Sequence, residues 1–276
     1  MGEALLAGLL RAGRQVKDLV VAERLADRAD YLSNKYSVRM ASVGAAVENA
    51  DFVIVAVKPS DAESVVAVIA ELAAQADSDT VEQVLISVCA GITTAFYEAR
   101  LPAGSPVIRV MPNAPALVGA GVSALAKGRF ATDEHLAQAS TLFESVGAVV
   151  TVPESQLDAV TAVSGSGPAY FYLFVEALVD AAVANGLQRA IATDLVAQTM
   201  AGSAAMLLER IDDERTAGTD TGLDTTPARL RAMVTSPAGT TAAGLRELER
   251  GAVRAAVTAA VDAAKTRSEQ LGITSE

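Results

Sequence analysis

The chain contains one cysteine, one histidine and no tryptophan in 276 residues. Cys89 alone cannot close an internal disulfide, and the N-terminus lacks the basic-then-apolar layout of a secretory signal, so the expected location is the cytoplasm. With His135 as the sole imidazole, neither a multi-histidine metal site nor a Ser-His-Asp triad can be assembled, and no metal is expected. Basic residues are also short. There are 22 Lys and Arg against 33 Asp and Glu, and the formal charge of -11 repels phosphate backbones, so no nucleic-acid partner is expected. Long apolar runs are missing as well: the most apolar helical stretch, Ala169 to Val183, is broken by Glu176 and Asp180. It falls short of the ~20 residues a bilayer span needs, and no membrane partner is expected.

What is present is enough apolar side chain for a real core, 51% hydrophobic against 20% charged. The length suits two domains at roughly 100 to 200 residues each. Up to residue 152 the pattern alternates helices with short apolar strands, as in a doubly wound, Rossmann-like parallel sheet of the α/β class. Glu3 to Ala12 reads as a helix stopped by Gly13, followed by strands at Asp18 to Glu23, Asp51 to Val57, Val84 to Cys89 and Pro106 to Met111. The last three stop at Lys58-Pro59, Ala90-Gly91 and Pro112-Asn113, and ligands sit beyond such strand ends. From 153 to 276 the pattern is all helical and rich in alanine and leucine. Pro168 suits a helix start and Asn185-Gly186 a helix end, giving one apolar helix over Ala169 to Ala184. Asp212 to Thr226 reads as a surface insertion without chemistry.

A dinucleotide-binding domain normally opens with a strand and a G-x-G-x-x-G turn. This sequence opens on the helix, with Gly2 placed like the third glycine and Glu23 about 20 residues on, near where a ribose-binding acid belongs. Met1 is therefore read as an internal methionine of a longer natural chain. At the second strand end Glu23 favours the free ribose hydroxyls of NAD and Arg24 the 2'-phosphate of NADP, which leaves both cofactors open.

Two later segments are far less generic: Asp158-Ala-Val-Thr-Ala-Val-Ser-Gly-Ser-Gly-Pro-Ala-Tyr170, and Arg229 through Ser236-Pro-Ala-Gly-Thr-Thr241 to Glu249. Together with Ala56-Val-Lys-Pro59, Ala90-Gly-Ile92 and Arg109-Val-Met-Pro-Asn113 they strongly resemble the signature segments of pyrroline-5-carboxylate reductase, in the right order and over essentially the whole chain. On the residues alone, Ser236 to Thr241 places hydroxyls and free backbone N–H groups at a helix start, which suits either a capping role or a bound carboxylate. The Ser164 to Ala169 turn reads as structural, its small residues allowing close packing at a pocket wall.

The resemblance implies a second domain that is all-α, binds substrate and dimerises, and a reaction in which hydride passes from a reduced nicotinamide to the C=N carbon of L-1-pyrroline-5-carboxylate, giving L-proline. It implies Thr241 as the hydroxyl nearest the imine nitrogen, with Glu154, Ser236, Gly239 and Thr240 joining it around the substrate. For the cofactor it implies NADPH through Arg24, with NADH possible, and contacts from Gly2, Ala56, Val57, Lys58, Pro59, Ala90, Gly91 and Asn113. On the residues alone Lys58 reads rather as a solvated loop lysine, and Asn113 as a loop-fixing or cofactor-contacting amide. Cys89 is read as a small core residue, His135 as exposed, and Arg109 as paired with an unidentified carboxylate.

Two other functions stay in view. A 3-hydroxyacid dehydrogenase would need a lysine in the helical half, where Lys265 is the only one after Lys127. A non-catalytic nucleotide-binding protein would have no need of the Ser236 to Thr241 segment. The apolar helices Ala169 to Ala184, Ala190 to Leu208 and Thr240 to Leu271 exceed what one small domain can hide, so a homodimer or higher homo-oligomer is expected.

Overall fold

The computed structural model describes residues 1–75, 83–217 and 225–273. It opens on helix α1 (Gly2–Arg11), followed by β1 (Val20–Val21), α2 (Ala26–Tyr36), β2 (Arg39–Met40), α3 (Val43–Val47), β3 (Phe52–Val55) and α4 (Ala62–Gln75). Then come β4 (Val84–Ser87), α5 (Thr94–Glu98), β5 (Val107–Met111), β6 (Gly121–Lys127), α6 (Asp133–Glu144) and β7 (Gly147–Thr151). The remainder is helical: α7 (Leu157–Val160), α8 (Gly167–Ala184), α9 (Arg189–Thr216), α10 (Thr226–Met233), α11 (Thr240–Arg250) and α12 (Val253–Ile273).

β1 and β2 form one parallel pair and β3-β4-β5-β6-β7 a second sheet. All four expected strands are present with trimmed ends, and the sheet is parallel except where β6 runs antiparallel to β5. Three strands escape the sequence reading. β2 is two residues long, β7 opens on Gly147, and β6 (GVSALAK) carries Gly121, Ser123 and two alanines, residues that do not favour a strand.

Every residue of β4 is buried, as expected of a strand covered on both faces. One face takes Val84, Ile86, Ile108 and Val110 against Leu5 and Leu9 of α1 and Phe143 of α6. The other takes Val55, Leu85 and Val107 against Val66 and Ile69 of α4 and Tyr97 of α5. A fully buried side chain such as Phe143 or Ile86 contributes roughly 1.5 to 3 kcal/mol, more than the ~0 to 1 kcal/mol of an exposed ion pair. Burial in the sheet sandwich therefore outweighs the exposed ion pairs.

One polar cluster stands out beside it. Glu3, in the first turn of α1, accepts hydrogen bonds from Tyr31 (3.1 Å), Lys35 (3.0 Å), Tyr36 (2.8 Å) and Arg28, tying α1 to α2. Burial pushes its carboxyl up, and the bonds from Lys35, Tyr36, Arg28 and Tyr31 more than offset this, bringing it from 4.5 down to about 2. A depressed carboxylate stabilises the fold above its unfolded value and loses that contribution as the pH falls through its folded value. The full shift corresponds to ~3 kcal/mol at about 1.4 kcal/mol per unit. Arg28 and Lys35 are 42% and 48% exposed, so solvent screening reduces this to about 1 to 2 kcal/mol. Glu3→Gln is expected to lose that much in urea unfolding at pH 7, with the gap to the parent closing as the pH falls from 4.5 toward 2.

Contacts divide the chain into two compact units, Met1–Pro168 with Val261–Glu276, and Ala169–Ala260. The strands end at Thr151, but the first unit continues through α7 to Pro168 and takes in the end of α12. The Ser164 to Ala169 segment is not a turn. Thr161–Gly165 is a π-helical turn running through Ser166 into α8, so the helix expected from Ala169 continues a helical path that starts at Glu154. Its close-packing role is present at Gly165, where a Cβ would lie 2.8 Å from Met111 Cε.

This longer path corrects the expectation of no membrane-length helix. Glu154–Ala184 and Arg189–Thr216 are both long and apolar enough to cross a bilayer, by length and composition alone. Asp212 to Thr216, expected in an insertion, complete α9, and residues 218–224 lie outside the described part.

Candidate functional site

The C-terminal ends of the parallel strands β3, β4 and β5 lie side by side, and each runs into one of the marked loops. After β3, Ala56 and Val57 are half-buried, and exposed Lys58 precedes the single turn Pro59–Asp61. Gly2, at the start of α1, packs beside this loop: a Cβ on it would lie 3.4 Å from Ala56 Cβ. The first N–H groups of α1 are thus brought to the β3 end with no intervening side chain, a setting that favours a phosphate. Arg24 is exposed and lies 3.7 Å from Asp61, so a basic group stands near the same loop.

After β4 the chain turns through Ala90 and Gly91. Gly91 has φ +78, a left-handed conformation that glycine adopts without cost, and its backbone meets α12. A Cβ there would come within 3.2 Å of Gly272 N and Leu271 C, and one on Gly272 within 2.9 Å of the Gly91 carbonyl oxygen. After β5, Asn113 is buried, and its Oδ1 accepts from Val122 N–H at 2.9 Å. This is the loop-fixing role. Gly2, Ala56 to Pro59, Ala90, Gly91 and Asn113 therefore share one edge of the first unit.

Beneath that edge lies a polar network that the sequence reading identified only in part. Arg109 is buried in the middle of β5, on the face that carries α5. The carboxylate expected for it is supplied twice: Arg109 Nη1 donates to Glu154 Oε1 at 3.3 Å, and Nη2 lies 4.0 Å from Asp158 Oδ1. Glu154 also accepts from Thr94, from the N–H at 2.7 Å and the hydroxyl at 2.6 Å. Asp158 accepts from the Ser268 hydroxyl at 2.6 Å. Glu154, expected beside the substrate, thus has both oxygens engaged by Thr94 and Arg109. Thr94, Asp158 and Ser268 were not singled out as partners. The Thr93-Thr94 pair at the start of a short helix was the available signal for the first, whereas Ser268 carries no motif.

A cavity of about 490 Å³ opens beside this network, bounded by Gly91, Phe96, Arg100, Arg109, Asp158 and Ser268. Cys89 is a core residue, as expected. Burial pushes its thiol up, and its Sγ–H points to the carbonyls of Val57 (3.3 Å) and Val55 (3.6 Å), so it is not placed to act as a nucleophile. His135 is half-buried rather than exposed, because it closes a capping box with Thr132: its Nδ1 accepts from Thr132 N–H, and its own N–H donates to Thr132 Oγ1, both at 3.2 Å. Among the described residues no group of three His, Cys, Asp or Glu is arranged to hold a metal ion.

In the second unit, Ser236, Thr240 and Thr241 are exposed at the start of α11, with Gly239 as its N-cap. The first intrahelical bond runs from Ala243 N–H to Gly239 C=O, so the preceding N–H groups have no intrahelical acceptor. Among the described residues the hydroxyls of Ser236, Thr240 and Thr241 make no hydrogen bond within the chain, and so they do not cap α11. Hydroxyls and N–H donors together form an anion-favouring cluster.

A family model for the pyrroline-5-carboxylate reductase dimerisation region matches residues 154–271, and one for NADP oxidoreductases, coenzyme F420-dependent, matches residues 1–91. The pyrroline-5-carboxylate reductase of Mycobacterium tuberculosis is 67% identical over 280 residues, covering 100% of this chain and 95% of that protein. That of Methanosarcina acetivorans is 40% identical, covering 99% of this chain and 94% of that protein. Among solved structures, a pyrroline-5-carboxylate reductase from Coxiella burnetii matches with a TM-score of 0.85 at 32% identity, covering 98% of this chain and 94% of the other. A Plasmodium falciparum pyrroline carboxylate reductase with NADP bound matches with a TM-score of 0.81 at 30% identity, covering 99% and 94%.

Proposed function

Because this chain belongs to the pyrroline-5-carboxylate reductase family, we propose that it reduces L-1-pyrroline-5-carboxylate to L-proline with NADPH as hydride donor, the last step of proline biosynthesis. The observation that carries this is relationship over the full length of the chain, both halves included. The first half fits a dinucleotide. A glycine starts α1 within contact distance of Ala56, and Gly91 bends the loop after β4 without a side chain.

In this proposal Gly2 and the α1 N-terminus hold the pyrophosphate, Arg24 takes the 2'-phosphate, and Ala56 to Pro59 line the path between them. Ala90 and Gly91 present bare backbone to the nicotinamide, and Asn113 fixes the adjoining loop. The cofactor, when bound, supplies the hydride. Ser236, Gly239 and Thr240 bind the substrate carboxylate through hydroxyl and N–H donors. Thr241 donates a hydrogen bond to the imine nitrogen and relays a proton to it from water as the C=N bond is reduced, its own hydroxyl being restored in the same step. Glu154 contributes by holding Thr94 and Arg109. No metal takes part, and a cyclic imine needs no stronger acid than a hydroxyl or water.

The dimerisation match covers both long apolar helices, which supports assigning them to subunit contacts in a homodimer or larger homo-oligomer rather than to a bilayer. Cytoplasmic location and the absence of nucleic-acid partners belong to the same proposal, the latter supported by the charge of -11. The test is loss of NADPH absorbance when pyrroline-5-carboxylate is added, with L-proline formed in equal amount. A folded sample that consumes neither NADPH nor NADH would overturn the proposal.

A further inference from the structure

The end of α12 is held at two points on one face. Ser268 and Gly272 lie four residues apart, one above the other on the helix. Ser268 is buried and donates to Asp158 at 2.6 Å, and Asp158 lies 4.0 Å from Arg109, which is rooted in β5. One turn on, the Leu271-Gly272 backbone lies against Gly91: a methyl group on Gly272 would meet the Gly91 carbonyl oxygen at 2.9 Å, and one on Gly91 would be tight at 3.2 Å. Gly91 follows β4, the strand paired with β5. A helix terminus frays unless it is tied down, and here the tie and the loop it braces trace back to adjacent strands.

We infer that the Arg109–Asp158–Ser268 chain clamps the last turns of α12 onto Gly91 and so fixes the pose of the nicotinamide during hydride transfer. Asp158 and Ser268 are then positioning residues: neither touches the reacting atoms. They limit how far the Ala90-Gly91 backbone can withdraw from the ring. The inference rests on the proposed placement of the nicotinamide at Ala90 and Gly91. A displacement of about 1 Å can cost as much as 10²-fold in rate without weakening binding, because donor and acceptor carbons must stay within attack distance.

The test uses the full-length enzyme in its natural assembly, with Ser268→Ala and Gly272→Ala compared with Gly91→Ala. For the first two, kcat is expected to fall roughly tenfold or more, with the KM for NADPH within about twofold and a larger primary isotope effect from NADPH deuterated at carbon 4. A loss of helix packing alone would lower the melting temperature and leave the isotope effect unchanged. The inference is overturned if both variants keep the parental kcat and isotope effect while Gly91→Ala is impaired. If Gly91→Ala also retains full activity, the placement of the nicotinamide fails and the inference falls with it. Gly272→Ala changes no hydrogen bond of the Arg109 network, so it still reads out if Ser268→Ala does not fold.

Discussion

Replacing Arg109 with methionine is expected to lower the melting temperature by roughly 6 to 12 °C, the consequence of a loss near 3 kcal/mol in a chain of this size. The side chain is 7% exposed and faces two carboxylates, Glu154 and Asp158, that are themselves only 27% and 26% exposed. Methionine matches the stem in volume and leaves little cavity, so the penalty comes from two partly desolvated negative charges left without a cation. A buried pair contributes little net stability against an apolar replacement of the whole set, but removing one member alone is costly. Adding Glu154→Gln and Asp158→Asn to Arg109→Met should therefore recover most of the loss. Thermal melts followed by circular dichroism check both steps. A fall below 2 °C for the single variant would mean that water from the adjoining cavity rehydrates the carboxylates.

The largest effect on activity is expected at Thr241. Thr241→Val keeps the shape and removes the hydroxyl, and kcat should drop on the order of 10²-fold, the low end for a positioned proton donor because water can partly replace it. The KM for NADPH should stay within about twofold, since the cofactor is assigned to other residues. Thr241→Ser should recover most of the rate. A valine variant with the parental kcat would show that the proton reaches the imine nitrogen from solvent alone, and would leave Thr241 a substrate contact. Steady-state rates over a range of pyrroline-5-carboxylate concentrations separate these outcomes.

The parts legible in the sequence are those governed by local pattern. Phe52 to Val57 and Val84 to Cys89 announce strands by runs that are apolar but for Ser87, and Lys58-Pro59 and Ala90-Gly91 announce where they stop, because proline and left-handed glycine end a ladder. Arg109 announced a buried partner because an arginine in an apolar strand cannot stay unpaired. Naming that partner required the fold: Glu154 and Asp158 lie 45 and 49 positions away, and Ser268 110 beyond Asp158. Strand β6 was missed because Ala124, Leu125 and Ala126 favour a helix in isolation, and only burial between β5 and β7 makes them a strand. His135 was misplaced for a similar reason. Its neighbours are polar, but its ring closes a cap.

One feature of the second unit changes what stability means for this enzyme. Between Ala169 and Ala260 the described residues buried within a single chain are Val179, Ala192 and Thr226, whereas Phe171, Tyr172, Leu173 and Phe174 stand in a row with their surfaces uncovered. In the proposed homo-oligomer another subunit supplies the covering surface, so the folding of this region is coupled to assembly. The free energy that holds it then scales with the logarithm of enzyme concentration. Dilution is therefore expected to lower its melting temperature, which melts over a range of protein concentrations check.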